Sequence, residues 1–130
     1  MTKKIKLMVL SLIMATSAYS SPAKILFISF SMPNMLLEQV AHESARLNIP
    51  LVLNGLHKSS MRKTLGKIFE LAQKEKGVSV QIDPVAFKKY GITRVPALIV
   101  DDGMGFDVIR GNIKISEMLK FIKAKGETNV

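Results

Sequence analysis

Cysteine is absent from this 130-residue sequence, and aromatic residues make up only 6% of it. The first absence excludes disulfides, thiol chemistry and thiolate metal sites. Histidine is nearly absent as well: His42 and His57 stand alone, with no carboxylates at ligand spacing, so no metal and no cofactor are expected. The few aromatics form no base-stacking array and no nucleic-acid motif appears, so nucleic acid is not an expected partner despite a net charge of +9. Uninterrupted apolar runs stay far short of the ~20 residues that cross a bilayer as a helix.

The N-terminus does carry a pattern. Lys3, Lys4 and Lys6 precede an apolar run from Leu7 to Ala15, and Ala18-Tyr19-Ser20 offers small residues for cleavage. This reads as a signal peptide over residues 1–20, leaving residues 21–130 as one domain in an exported compartment with no membrane span. With those three lysines set aside, 16 basic residues face 10 acidic ones, and the charge falls to +6. Such a surface can attract nucleic acid, anionic lipid or an acidic partner, and its plainer reading is a solvated face.

Along that domain, apolar Lys24–Phe30 predicts a strand buried on both faces. Leu36, Leu37, Val40, Ala41, Ala45 and Leu47 then recur at helical spacing over Asn34–Asn48, with Glu38, Glu43 and Arg46 on the opposite side. Ile49–Asn54 predicts a second strand, and Ser59 or Ser60 a cap for a helix whose buried stripe is Met61, Leu65, Ile68, Phe69 and Ala72. Val78–Ile82 alternates as a third strand or edge segment, and Asp83-Pro84 starts a short helix that Gly91 stops. Arg94–Val100, an Asp101-Asp102-Gly103 turn and Phe106–Arg110 predict a closing hairpin. Ile115, Met118, Leu119 and Ile122 mark a last helix. The order βαβαβαββα implies an α/β domain with helices on both faces of a mixed sheet of four or five strands.

That order and its punctuation resemble the thioredoxin superfamily. Strand-Ser31-Met32-Pro33-Asn34-helix stands where such proteins keep a Cys-x-Pro-Cys pair, and "KYGITRVPALIV" stands where they keep a proline-led strand. A nearer resemblance is to the TrbC family of F-type conjugative transfer systems, envelope proteins of pilus assembly, through "FISFSMP" (27–33), "LVLNGLHKSSMRKT" (51–64), "VQIDPVAFKKYGITRVPALIV" (80–100) and "FDVIRGNIKISEML" (106–119). The resemblance implies a thioredoxin-like three-layer fold and a cis Val95-Pro96 bond. It also implies a shallow groove bordered by Ser31, Met32, Pro33, Val95, Pro96 and Gly111, with Asn34 and Arg94 beside it, where an extended peptide can dock by strand addition.

The plainer reading of Asn34 or Ser31 is the N-cap of the helix. A Ser31 nucleophile would need a base, and neither His42 nor His57 is placed by sequence to supply one. Asp101 and Asp102 are read as turn formers rather than a cation site. The leading expectation is therefore a periplasmic, non-enzymatic protein that assists conjugative pilus (type IV secretion) assembly. Its partners would be other envelope proteins of the transfer apparatus, with no small-molecule substrate. The alternative is a general periplasmic chaperone that binds exported polypeptides in the same groove.

Overall fold

A computed structural model of the protein describes residues 21–128; the expected signal peptide lies outside them. Five strands form one sheet: β1 (Ala23–Ile28), β2 (Leu51–Leu53), β3 (Val80–Ile82), β4 (Ala97–Asp101) and β5 (Phe106–Arg110), in the spatial order β3-β2-β1-β4-β5. β1 pairs parallel with β2 and β2 with β3, whereas β4 runs antiparallel to both β1 and β5. Among the described residues four α-helices accompany it: α1 (Asn34–Leu47), α2 (Met61–Lys74), α3 (Pro84–Lys89) and α4 (Ile115–Lys125).

Strand alternation divides the core into two layers. Leu26, Ile28, Leu51, Leu53, Leu98 and Val100 face α1, α2 and α4, while Phe27, Val52, Ala97 and Ile99 face α3. β1 and β4 are central and covered on both sides, which is why their sequences read as continuous apolar runs rather than alternating ones. On the α3 side, Phe27 meets Phe87 edge-to-face with ring centroids 4.7 Å apart. Tyr90 closes that layer, and its hydroxyl donates to Asp101 at 2.6 Å.

The helix starts follow local chemistry. Ser60 accepts the Lys63 N–H to cap α2, and Asp83 accepts the Ala86 N–H to cap α3, with Pro84 at the first helical position. Gly91, at φ +62°, turns the chain out of α3 in a conformation that side chains disfavour. Asp101 and Asp102 are turn formers, as expected: their carboxylates accept the N–H groups of Gly103, Met104 and Gly105.

Three expectations need correction. Neither Ser31 nor Asn34 caps α1; the N-cap is Pro33, whose carbonyl accepts the Leu37 N–H at 2.9 Å. The stripe Met61, Leu65, Phe69 and Ala72 is exposed, with Phe69 64% accessible, and α2 instead buries Thr64 and Leu71 with Ile68 beside them. The two stripes lie side by side on the helix, and the sheet takes the one centred on Thr64, whose hydroxyl is fully hydrogen-bonded there. Glu43 does not face solvent. It is 7% accessible, and its carboxylate accepts the Ile115 N–H at the start of α4, where the helix dipole favours a negative charge.

Candidate functional site

A cleft of about 890 Å³ opens at the carboxyl ends of the parallel strands β1 and β2. That is where open α/β sheets place ligands, because the loops leaving adjacent strands diverge there. Its floor is the run from Ile28 to Ser31 together with Leu53 and Asn54. One wall is the loop Gly55–Lys58 after β2; the other is Ile92, Thr93 and Val95 before β4. Phe30, Leu56, Phe87 and Val95 supply apolar surface, and Lys58 and Lys67 supply charge. Among the described residues, no aspartate or glutamate lines the cleft.

The turn after β1 is held without thiols. The Ser29 and Ser31 hydroxyls lie 2.7 Å apart, and the Ser29 oxygen also accepts the Ser31 N–H. The Met32 N–H donates to the Ser29 carbonyl at 3.2 Å, and the Met32 sulfur sits 3.4 Å from the Ser29 nitrogen. Opposite, the loop after β2 is pinned by Thr64, whose hydroxyl accepts the His57 N–H at 2.8 Å and donates to the Ser60 carbonyl at 2.6 Å. Between those two anchors, Lys58 and Ser59 adopt φ of +49° and +55°, a left-handed pair with no glycine in it. The His57 ring packs edge-on against Phe30 at 5.8 Å, closing that corner.

The residues expected at the groove separate in space. Ser31 and Val95 line the cleft. Pro96 is buried beneath it, the Val95-Pro96 bond is cis, and the Pro96 carbonyl accepts the Gly111 N–H at 3.2 Å. Met32 does not border the groove: its side chain is turned inward and is 8% accessible, a plug in the core against the α1 layer. Pro33 and Arg94 are exposed, outside the cleft lining. Asn34 borders a separate small depression between α1 and α2, with Glu38, Lys67 and Glu70.

Sequence reasoning missed the opposite wall. Leu56, Lys58 and Lys67, which border it, sit in no motif that points to a site. The signal that finds them is topological: β2 is the parallel neighbour of β1, so the loop leaving β2 must border whatever binds at the end of β1. His42, by contrast, is exposed, sits 3.0 Å from Glu75 and is not in the cleft lining.

Away from the cleft, three places shift from their ordinary ionisation, the first being Lys74, which its hydrogen bond to Glu38 raises. Burial and the hydrogen bond to Asp101 push the Tyr90 phenol up from 10 to about 12, while the same bond and the Gly103 N–H hold Asp101 below its ordinary value. Asp107 is also held low, by the hydroxyl and N–H of Thr128, and so ties the segment after α4 to β5.

Comparison with known proteins agrees with the fold. Residues 26–122 match the family described as type-F conjugative transfer system pilin assembly protein. The chain is 36% identical over 101 residues to the periplasmic protein TrbC of Escherichia coli (strain K12), covering 78% of this chain and 48% of that one. The chain thus spans about half the length of that relative. Among solved structures, the pneumococcal exposed lipoprotein thioredoxin (Etrx1) of Streptococcus pneumoniae strain TIGR4 superposes with a TM-score of 0.59 at 15% identity, over 82% of this chain and 87% of that one. At that identity the likeness shows a thioredoxin-type fold.

Proposed function

The chain belongs to the type-F conjugative transfer system pilin assembly family, and on that premise we propose that it works in the periplasm as a non-enzymatic docking protein of pilus assembly. It presents the cleft at the ends of β1 and β2 to an extended segment of another envelope protein of the transfer apparatus. The observation that carries this reading is the cleft itself: about 890 Å³, lined by apolar Phe30, Leu56, Phe87 and Val95 together with polar Ser31, Asn54 and Thr93, a size and character suited to holding a peptide side chain or two. The groups that could do chemistry there support docking rather than turnover. The sequence has no cysteine, and the Ser31 hydroxyl is paired with the Ser29 hydroxyl rather than with a base.

The test is to fill the cleft from its rim. Thr93→Trp, at an exposed lining position, and Leu56→Asp, at a position 41% accessible, leave the core untouched. Both should lower capture of partner proteins by in vivo cross-linking and lower transfer frequency in a complementation assay, with folding unchanged by circular dichroism. Wild-type transfer and cross-linking in both variants would remove the cleft from the mechanism. Cross-linking to many unrelated exported proteins, in place of one dominant partner, would favour a general chaperone.

A further inference from the structure

We propose that the cleft selects an acidic peptide segment, one whose apolar side chain enters the centre while flanking carboxylates meet Lys58 and Lys67. This rests on the docking role proposed above and adds the chemistry of the occupant. The lining combines two kinds of surface. Phe30, Leu56 and Phe87 present apolar surface to the interior, whereas both charged lining residues are lysines and no carboxylate faces them within the lining. A cleft with one sign of charge and low-dielectric walls concentrates its field on the ligand.

Lys58 is exposed at the tip of the β2–α2 loop and is held there by the left-handed pair it forms with Ser59. Lys67 is half-buried on α2, where it also borders the depression containing Glu38 and Glu70. Glu38 is engaged by Lys74 at 2.6 Å, which leaves Glu70 as the carboxylate beside Lys67 on that flank. A neutral apolar segment would offer Lys58 no counter-charge, and a basic segment would meet repulsion at both lysines. The domain as a whole carries the same bias, with 16 basic residues against 10 acidic ones beyond the first three lysines.

Fluorescence anisotropy on the full chain tests this with three labelled peptides that share a central Leu-Phe pair and differ only in flanks of glutamate, glutamine or lysine. The glutamate-flanked peptide should bind roughly tenfold more tightly than the glutamine-flanked one. That margin should shrink as salt rises past ~0.1 M, where the screening length falls to about 10 Å. Lys58→Glu and Lys67→Glu should each erase or invert the ratio between the glutamate-flanked and glutamine-flanked affinities. Equal binding of the glutamate and glutamine peptides would overturn the acidic preference and leave cleft docking intact. Displacement of the peptide by heparin or a single-stranded oligonucleotide at matched charge would overturn it too, by showing a site for any polyanion. No binding of any peptide would remove the docking reading and this inference together.

Discussion

Thr64→Val probes the pin that shapes the cleft. Thr64 is fully buried, and its hydroxyl makes two hydrogen bonds, to the His57 N–H and to the Ser60 carbonyl. Valine keeps the branched shape and removes both. The Ser60 carbonyl still accepts the Thr64 N–H at 3.0 Å, so the orphaned group is the His57 N–H. An unsatisfied donor costs about 1–3 kcal/mol, at the low end here because the amide is only half-buried, and the added methyl returns up to ~0.8 kcal/mol. The net loss is at most about 1 kcal/mol, a fall in Tm of no more than about 4–8 °C for a domain of this size. Thr64→Ser loses about the same amount by a different route, since it keeps the hydroxyl and gives up a methyl. Global stability therefore does not separate the two variants, but hydrogen exchange does. The His57 amide should lose protection in Thr64→Val and keep it in Thr64→Ser. Released from the pin, Lys58 and Ser59 should leave the left-handed region, which costs roughly 1–2 kcal/mol per residue, and peptide affinity should drop with them. A His57 amide still protected in Thr64→Val would refute the account of how this wall is held.

Glu43→Ala should destabilise by about 1.5–3 kcal/mol in urea denaturation, because it removes a charged acceptor at the start of α4; Glu43→Gln should recover part of that through its amide oxygen. Equal losses in the two variants would contradict the capping role. Phe27→Ala should cost about 3–5 kcal/mol by the same measure, since a fully buried ring packed on Phe87 is deleted; a loss under ~1 kcal/mol would mean the α3 layer collapses around the gap. Stability should also fall at both ends of the pH scale. Tyr90 is raised, so its contribution is complete below pH 10 and is lost as pH climbs through about 12; Asp101 and Asp107 are lowered, so theirs is complete above 3.8 and is lost as pH falls further. Tyr90→Phe should flatten the alkaline limb of a Tm-against-pH curve and, with Asp101 losing its partner, part of the acid limb. An unchanged alkaline limb would place its origin elsewhere.

The layer architecture was legible in the sequence because strand alternation and helix punctuation are local. Asp83-Pro84, Gly91 and the Asp101-Asp102-Gly103 turn each perform the step their chemistry implies. What was not legible depended on which of two competing faces the sheet would accept. On α2 the apolar stripe through Met61, Leu65 and Phe69 has the stronger hydrophobic signature, yet the helix seats Thr64 and Leu71. A buried threonine is invisible to hydrophobic patterning, because its value lies in hydrogen bonds to His57 and Ser60 that exist only once the loop has folded. Glu43 was misread for the same reason: its partner, the Ile115 N–H, lies 72 residues away in sequence. Of the expected groove, Ser31 and Val95 were found from the resemblance, and the lysine wall required knowing that β1 and β2 are parallel neighbours.

The turn at Ser31-Met32-Pro33 shows why a fold best known for dithiol exchange can do without it. In an active thioredoxin-type site the turn holds two sulfurs whose state follows the surrounding redox poise. Here the same place is fixed by hydroxyl and main-chain hydrogen bonds at Ser29 and by burial of Met32 in the core, and Pro33 supplies the carbonyl that starts α1. None of those interactions gains or loses electrons under the conditions that cycle a dithiol. The neighbouring wall is likewise set by Thr64, and the charge of the cleft by two lysines. Its shape and potential therefore stay constant whether the compartment is oxidising or reducing. For a protein proposed to hold a partner during assembly rather than to transform it, that constancy is the property the missing cysteines confer.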